Sequence, residues 1–291
     1  LEVLLRGEPV RSGDFGWETT LSWSANRSKV LKLAEGVEGL EMTNGDFWGV
    51  QQFARVGEPL GQLVGTAYQR DPDGNIIVSK AVGVPLWTTD RRVIGNFNPD
   101  WRAGISNELT YRNARLNFLF DIKHGGEIYS VTHMFGRYAG VLSETEAGRC
   151  TPAGSDPLPG YPTCDANTGI VFKGVNRVVA GGDTTYVPNT TVVDAETFWA
   201  YAYNVNEPHV VDAGFVKLRE VTLGYDLPGR FTSRMGVSGV QLAVVGRNLA
   251  LWTKNDHIDP ESAFDNTNVQ GFEYAQMPSA RSIGFNITVR P

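Results

Sequence analysis

Strict two-residue alternation over Trp101–Arg112 constrains this chain more than any other feature of its sequence. In WRAGISNELTYR one side carries Trp101, Ala103, Ile105, Asn107, Leu109 and Tyr111, and the other carries Arg102, Gly104, Ser106, Glu108, Thr110 and Arg112. A period of two is that of an extended strand whose faces meet different surroundings. A strand of about 9–11 residues is long enough to cross a bilayer when tilted, and aromatic residues at both ends of the apolar face suit its two interfaces. After a polar turn at Asn113, Leu116, Phe118, Phe120 and Ile122 alternate with Asn117, Leu119, Asp121 and Lys123. The two segments together predict a hairpin.

The same pattern recurs along the chain. Val3 and Leu5 alternate with Glu2, Arg6 and Glu8. Trp17, Leu21, Trp23 and Ala25 alternate with Glu18, Thr20, Ser22, Ser24 and Asn26. Further on come Val221, Leu223 and Tyr225, then Val240, Leu242 and Val244, and finally Ile283, Phe285, Ile287 and Val289. Connections alternate in length. Short ones fall near Ser12–Phe15, Arg112–Ala114 and Pro228–Ser238, and long ones cover roughly 28–100, 126–212 and 254–279. Short turns on one side and long loops on the other are the pattern of an outer-membrane barrel, with the long loops extracellular. The expected class is all-β: an antiparallel up-and-down transmembrane β-barrel contributing about seven strands over residues 1–291. A soluble β-sandwich also gives each strand one apolar and one polar face, although it calls for turn signals every 8–12 residues.

Seven crossings are odd and would leave two strand edges facing lipid, where unpaired backbone groups are costly. The chain therefore reads as part of a longer protein. A start without an initiator Met or a signal peptide reads the same way. The net charge of -6 and the lack of a Lys/Arg run make a nucleic-acid partner an unsuitable reading. No stretch of about 18 apolar residues marks a transmembrane helix, which says nothing about strands.

Several blocks then point further. FVKLREVTLGYDLP (Phe215–Pro228), GVSGVQLAVVGRNLALWTK (Gly236–Lys254) and IDPE (Ile258–Glu261) resemble the C-terminal region of SusC/RagA-family TonB-linked outer-membrane proteins. So do GEPLGQLVGTAYQRDPDGNIIV (Gly57–Val78), the hairpin block Val93–Ser130 with its Gly125–Gly126 pair, and DFGWETTLSWSANRSKV (Asp14–Val30), in collinear order. The resemblance implies a TonB-dependent transporter in a bacterial outer membrane that imports glycan oligosaccharides or peptides. It implies TonB coupling through a plug region and a SusD-like surface lipoprotein as partner. The plug and the earlier strands are absent from this sequence, and the ending ITVRP lacks the aromatic final residue usual for such barrels. A siderophore- or cobalamin-type TonB receptor is a neighbouring reading, and a surface β-domain binding carbohydrate or protein is the rival from another class.

Candidate residues follow from these readings. Arg102, Glu108, Asp121, Lys123 and Glu220 fall on polar strand faces and would line a wet lumen. Trp48, Phe53, Trp87, Phe97, Tyr161 and Trp252 are aromatics that could stack on a ligand ring, or could pack loops and interfaces. Asp71, Asp73 and Asn75 have the alternating oxygens of a Ca²⁺ loop but lack the bidentate Glu, with Val82 in its place, so a Pro-Asp-Gly turn is the stronger reading. Cys150 and Cys164 bracket a turn-rich loop and could form a disulfide, worth about 3 kcal/mol by chain entropy, or remain free thiols. His124, His133, His209 and His257 have no metalloenzyme spacing, and no nucleophile elbow is present, so no catalytic chemistry is expected.

Overall fold

In the computed structural model, which describes residues 1–42, 47–156, 159–262 and 270–291, the alternating segments become strands of one sheet. β1 (Glu2–Ser12) and β2 (Phe15–Ser24) form the first hairpin. The first long connection then contains β3 (Gly39–Glu41), β4 (Gln51–Arg55), β5 (Gln62–Gly65) and β6 (Arg92–Asn96), a small antiparallel sheet of its own. β7 (Trp101–Tyr111) and β8 (Ala114–His124) form the second hairpin. The second long connection carries β9 (Glu127–Ser130), α1 (Val131–Tyr138), β10 (Val175–Ala180), β11 (Asp183–Pro188), α2 (Ala195–Ala202) and β12 (Val210–Asp212). β13 (Phe215–Asp226) and β14 (Gly239–Thr253) follow, joined through the short helix α3 (Gly229–Thr232). β15 (Phe272–Glu273) lies in the third connection, and β16 (Ser282–Arg290) closes the chain.

The main sheet has the order β1-β2-β7-β8-β13-β14-β16 and is antiparallel throughout, so sequence neighbours are spatial neighbours. It is open. β1 and β16 lie at its two edges, and every residue of both is exposed. β-branched and aromatic residues favour these strands because they pack well on a pleated surface. Gly13 (φ 54°) and Arg112 (φ 50°) take left-handed backbone in the two tight hairpin loops. The Arg112 side chain donates to Asp14 at 2.8 Å, tying the two loops together.

Register assigns the faces, because directly opposed residues point the same way. One face carries Trp23, Leu21, Ala103, Ile105, Phe120, Phe118, Leu218, Val221, Val244, Leu242, Phe285 and Ile287. The other carries Ser22, Arg102, Asp121, Lys123, Asn117, Lys217, Thr222 and Asn286. Neither buried apolar cluster lies in this sheet. One joins Val50, Leu63, Tyr129, Val131, Met134 and Phe272, and the other joins Val84, Val193 and Phe198. Phe285 is 82% exposed and Ile287 68%. Burying a side chain of that size contributes about 1.5–3 kcal/mol, which a water-facing sheet of this kind would forgo residue after residue.

One expectation is corrected, and one open alternative is placed. The long connections, read as loops, fold into sheets and helices that share a core, because Val50, Leu63, Tyr129, Val131, Met134 and Phe272 come from all three. Trp252, a ligand candidate, stands on the apolar face of β14, 54% exposed and 6.4 Å from the Phe120 ring. If the apolar face meets hydrocarbon, Phe118→Arg should cost about 2–4 kcal/mol in denaturant unfolding of the membrane-reconstituted receptor, whereas Asn117→Arg on the opposite face should stay within about 0.5 kcal/mol.

Candidate lumenal site

The polar face gathers charge at the end of the sheet where the three long connections emerge. A bulge makes this possible. Between Leu218 and Glu220 the register of β13 slips against both β8 and β14, so Arg219 and Glu220 are adjacent in sequence yet both serve the polar face. Arg219 donates through Nε to Asp121 Oδ2 at 2.8 Å and pairs with both carboxylate oxygens of Glu261. Glu220 accepts from Arg247 Nε at 2.9 Å.

Lys217, only 2% exposed, donates through Nζ to Asp259 Oδ2 at 2.7 Å, Glu261 Oε2 at 2.6 Å and Ser279 Oγ at 3.0 Å. A buried ammonium needs such compensation, since desolvation alone would expel it. Asp259 and Glu261 belong to the IDPE block and Lys217 to the FVKLRE block, so this network fastens the third connection to the polar face of the sheet. Burial by itself would raise the Asp259 carboxyl. The hydrogen bonds from Lys217 and Ser279 outweigh that and hold it below the usual carboxylate range.

Between this network and the first two connections lies an open cavity of about 820 Å³. Its basic groups are Arg27, Lys29, Arg102 and Lys123. Its carboxylates are Asp100, Asp121, Glu127 and Glu261, and Trp101, Phe97, Asn96 and Asn98 are among its other lining residues. Trp101 stacks on His124 with ring centroids 4.9 Å apart. Gly125 and Gly126 (φ 70° and 75°) turn the chain out of β8 here. A Cβ on Gly126 would lie 2.9 Å from the Phe97 carbonyl oxygen, so the turn requires glycine.

Of the sequence candidates, Phe97, Arg102, Asp121 and Lys123 share this cavity. Glu108 lies farther along the same face, 3.2 Å from Arg115, and Glu220 is on the same face beside Arg247. Trp48 belongs to the folded connections instead, 4.8 Å from the Phe135 ring, and Trp87 lies 6.5 Å from Tyr201. Phe53 lies under the Arg55 guanidinium. Tyr161, 45% exposed, is outside the cavity, in the loop closed by the Cys150–Cys164 disulfide. The Asp71 carboxylate accepts from the Asp73 and Asn75 backbone N–H groups and from Asn75 Nδ2, the arrangement of an Asx-type turn. These bonds lower its pKa, that from the Asn75 side chain most. Among the described residues no group of three His, Cys, Asp or Glu side chains gathers to hold a metal.

The residues that sequence reading missed are Lys217, Arg219, Asp259, Glu261 and Ser279. Their one local signal was the charged pair Arg219–Glu220, where alternation breaks.

Comparison with known proteins finds related sequences and a related fold. The chain is 25% identical to "TonB-dependent receptor P3" and 28% identical to "TonB-dependent receptor P26", both of Formosa agariphila, over 99% of its own length. In sequence it is similar to TonB-dependent receptors over nearly the whole of its length. The chain spans 28% of the length of each of these two relatives. Its fold superposes on a chain of the RagAB peptide importer in the open-open state with a TM-score of 0.64, and in the closed-closed state with 0.65, at 17% identity and over 28% of that chain. No protein-family profile matches the chain.

Lys217→Ala should destabilise the third connection by about 3–5 kcal/mol, because it leaves Asp259 buried without its cation. Thermal melting together with hydrogen exchange at residues 256–262 measures this. The pH dependence has a fixed sign. The Asp259 carboxyl is depressed in the folded protein, so its contribution is complete above the ordinary carboxylate value of 3.8 and fades as pH falls below it. Protection of the connection should therefore be flat from pH 7 to about 5 and decline below about 4.

Proposed function

We propose that this chain forms part of the wall, lumen lining and extracellular connections of an outer-membrane transporter that imports nutrient oligomers. The observation that carries the reading is the main sheet itself, with one face apolar and uncovered by any second layer among the described residues and the other charged and bordering a cavity. A β-sandwich would place Ile105, Phe118 and Phe285 in a shared dry core, and the buried clusters contain none of them.

In this reading the open edges of β1 and β16 pair with further strands of the same receptor, closing a barrel in a bacterial outer membrane. The plug and its coupling to TonB are supplied by other parts of that receptor. A SusD-like lipoprotein caps the side on which the long connections fold. The wall performs no covalent chemistry; substrate moves by conformational gating.

The cavity supports short peptides as cargo. Basic and acidic side chains are interspersed along its lining, which suits a zwitterionic chain, and backbone amides would be read by Asn96 and Asn98. Glycan oligosaccharides are the second reading, favoured by Trp101 and Phe97 beside those same amides. The named relatives support import as the activity, since they are TonB-dependent receptors.

The test is uptake by cells that express the receptor. Labelled peptide mixtures and labelled oligosaccharides should enter only when the inner membrane is energised. The double variant Arg102→Ala, Lys123→Ala should lower peptide uptake by about tenfold or more, from the loss of charge-assisted contacts. Uptake that ignores both de-energisation and these substitutions would remove the proposal.

A further inference from the structure

Charge in the lumenal cavity is unevenly matched. Each of its four carboxylates already has a partner. Asp121 accepts from Arg219 Nε at 2.8 Å, Glu261 from Lys217 Nζ at 2.6 Å, and Glu127 from the Asn96 backbone N–H at 2.7 Å. Asp100 lies 3.5 Å from His124 Nδ1. The four cations of the lining are different. Arg27, Lys29, Arg102 and Lys123 make no ion pair and no side-chain hydrogen bond among the described residues.

Two of these cations are set against each other. Arg102 and Lys123 are direct cross-strand partners of β7 and β8, so both rise from the polar face with Cβ atoms about 4.5–5.5 Å apart. Like charges directly opposite one another destabilise a sheet. Their row does not answer them. Ser24 of β2 stands beside Arg102, and Phe215 of β13 stands beside Lys123. Glu2 of β1 lies beyond Ser24 and makes no ion pair with Arg102. Asp212, whose field reaches Lys123, is taken by Lys254 at 2.8 Å and by the Gly214 N–H at 2.7 Å.

Two unmatched cations held together in an open cavity suit an anion. A guanidinium is planar and can donate to both oxygens of a carboxylate, and an ammonium adds a compact point charge. Arg27 and Lys29, in the segment that leaves β2, bring more positive charge to the same cavity. A neutral sugar carries nothing that would discharge the pair.

We propose that Arg102 and Lys123 form a carboxylate-binding subsite of the lumen, the Arg102 guanidinium donating to both oxygens and the Lys123 ammonium to one. The ligand is a carboxylate of a cargo peptide, at its C-terminus or on an acidic side chain. This deepens the import reading and rests on it for the arrival of such a peptide. The subsite makes the lumen selective: peptides with a free carboxylate bind in preference to blocked ones, and the carboxylate relieves the repulsion between the two cations.

Fluorescence anisotropy with the detergent-solubilised full-length receptor tests it. The probes are three dye-labelled alanine pentapeptides: the free acid, its C-terminal amide, and that amide with a central Asp. At least one of the two carboxylate probes should bind about tenfold more tightly than the plain amide, and which one does so identifies the source of the carboxylate. The double variant Arg102→Ala, Lys123→Ala should bind all three alike. Lys123→Met removes one charge and keeps the length of the side chain. It should weaken the preferred probe and should not lower the melting temperature of the receptor without probe. A lower melting temperature would mean that Lys123 is neutralised within the receptor itself, and it would overturn the proposal. Equal affinity for the three probes, or a carboxylate preference that survives the double variant, would do the same. Energised uptake without a carboxylate preference removes this subsite alone; a carboxylate preference with uptake that ignores de-energisation removes the import reading alone.

Discussion

The proposed reading depends on one constraint: the two faces of a single sheet must be satisfied by different media. Backbone hydrogen bonds are made strand to strand, which is what allows strands to cross hydrocarbon at all. Given that, every side chain on one face can be apolar without a covering layer, and every side chain on the other can be charged. Phe118, Leu223 and Phe285 need no packing partner under this arrangement, whereas Asp121 is paired with Arg219 and Lys217 with Asp259. A sandwich reverses the requirement, because its apolar faces must meet.

The polar face becomes a site through irregularities. The bulge at Arg219 places two consecutive charges on one side of β13, and the IDPE segment answers them with Asp259 and Glu261. A buried ion network contributes little net stability over a hydrophobic replacement, but it is demanding in geometry. Here it pins the third connection against the polar face of the sheet, so cavity shape and the position of that connection are coupled. Asp121, which lines the cavity, is joined through Arg219 and Glu261 to the third connection.

Much of this was legible in the sequence, for reasons that can be traced. Alternation located β7, β8 and β16 because each is a regular strand with unlike faces. Glycine positions such as Gly125–Gly126 and blocks such as IDPE carried the family resemblance. What was not legible arises from long-range pairing. Lys217 and Asp259 are 42 residues apart, and nothing local announces that they meet. The connections read as loops because their strands are only two to six residues long, too short for periodicity to register, and their core is shared among three separated segments. For Trp252 the sequence left open a ligand-stacking and an interface position, because an aromatic near a loop suits either, and the register of β14 places it on the apolar face. Trp48 and Tyr161 failed to join the cavity for the same reason: aromatic character alone does not fix direction.

The most direct test of the central claim is residue-by-residue accessibility. Single spin labels placed in turn from position 102 to 109 and from 115 to 122 of the membrane-reconstituted receptor should report oxygen, which partitions into hydrocarbon, and a water-soluble nickel chelate in strict alternation. Positions 103, 105, 118 and 120 should favour oxygen, and 104, 106, 117 and 121 should favour the chelate. Labels on both faces equally shielded from both reagents would mean a dry two-layered core, and the account of a lipid-facing wall would be contradicted.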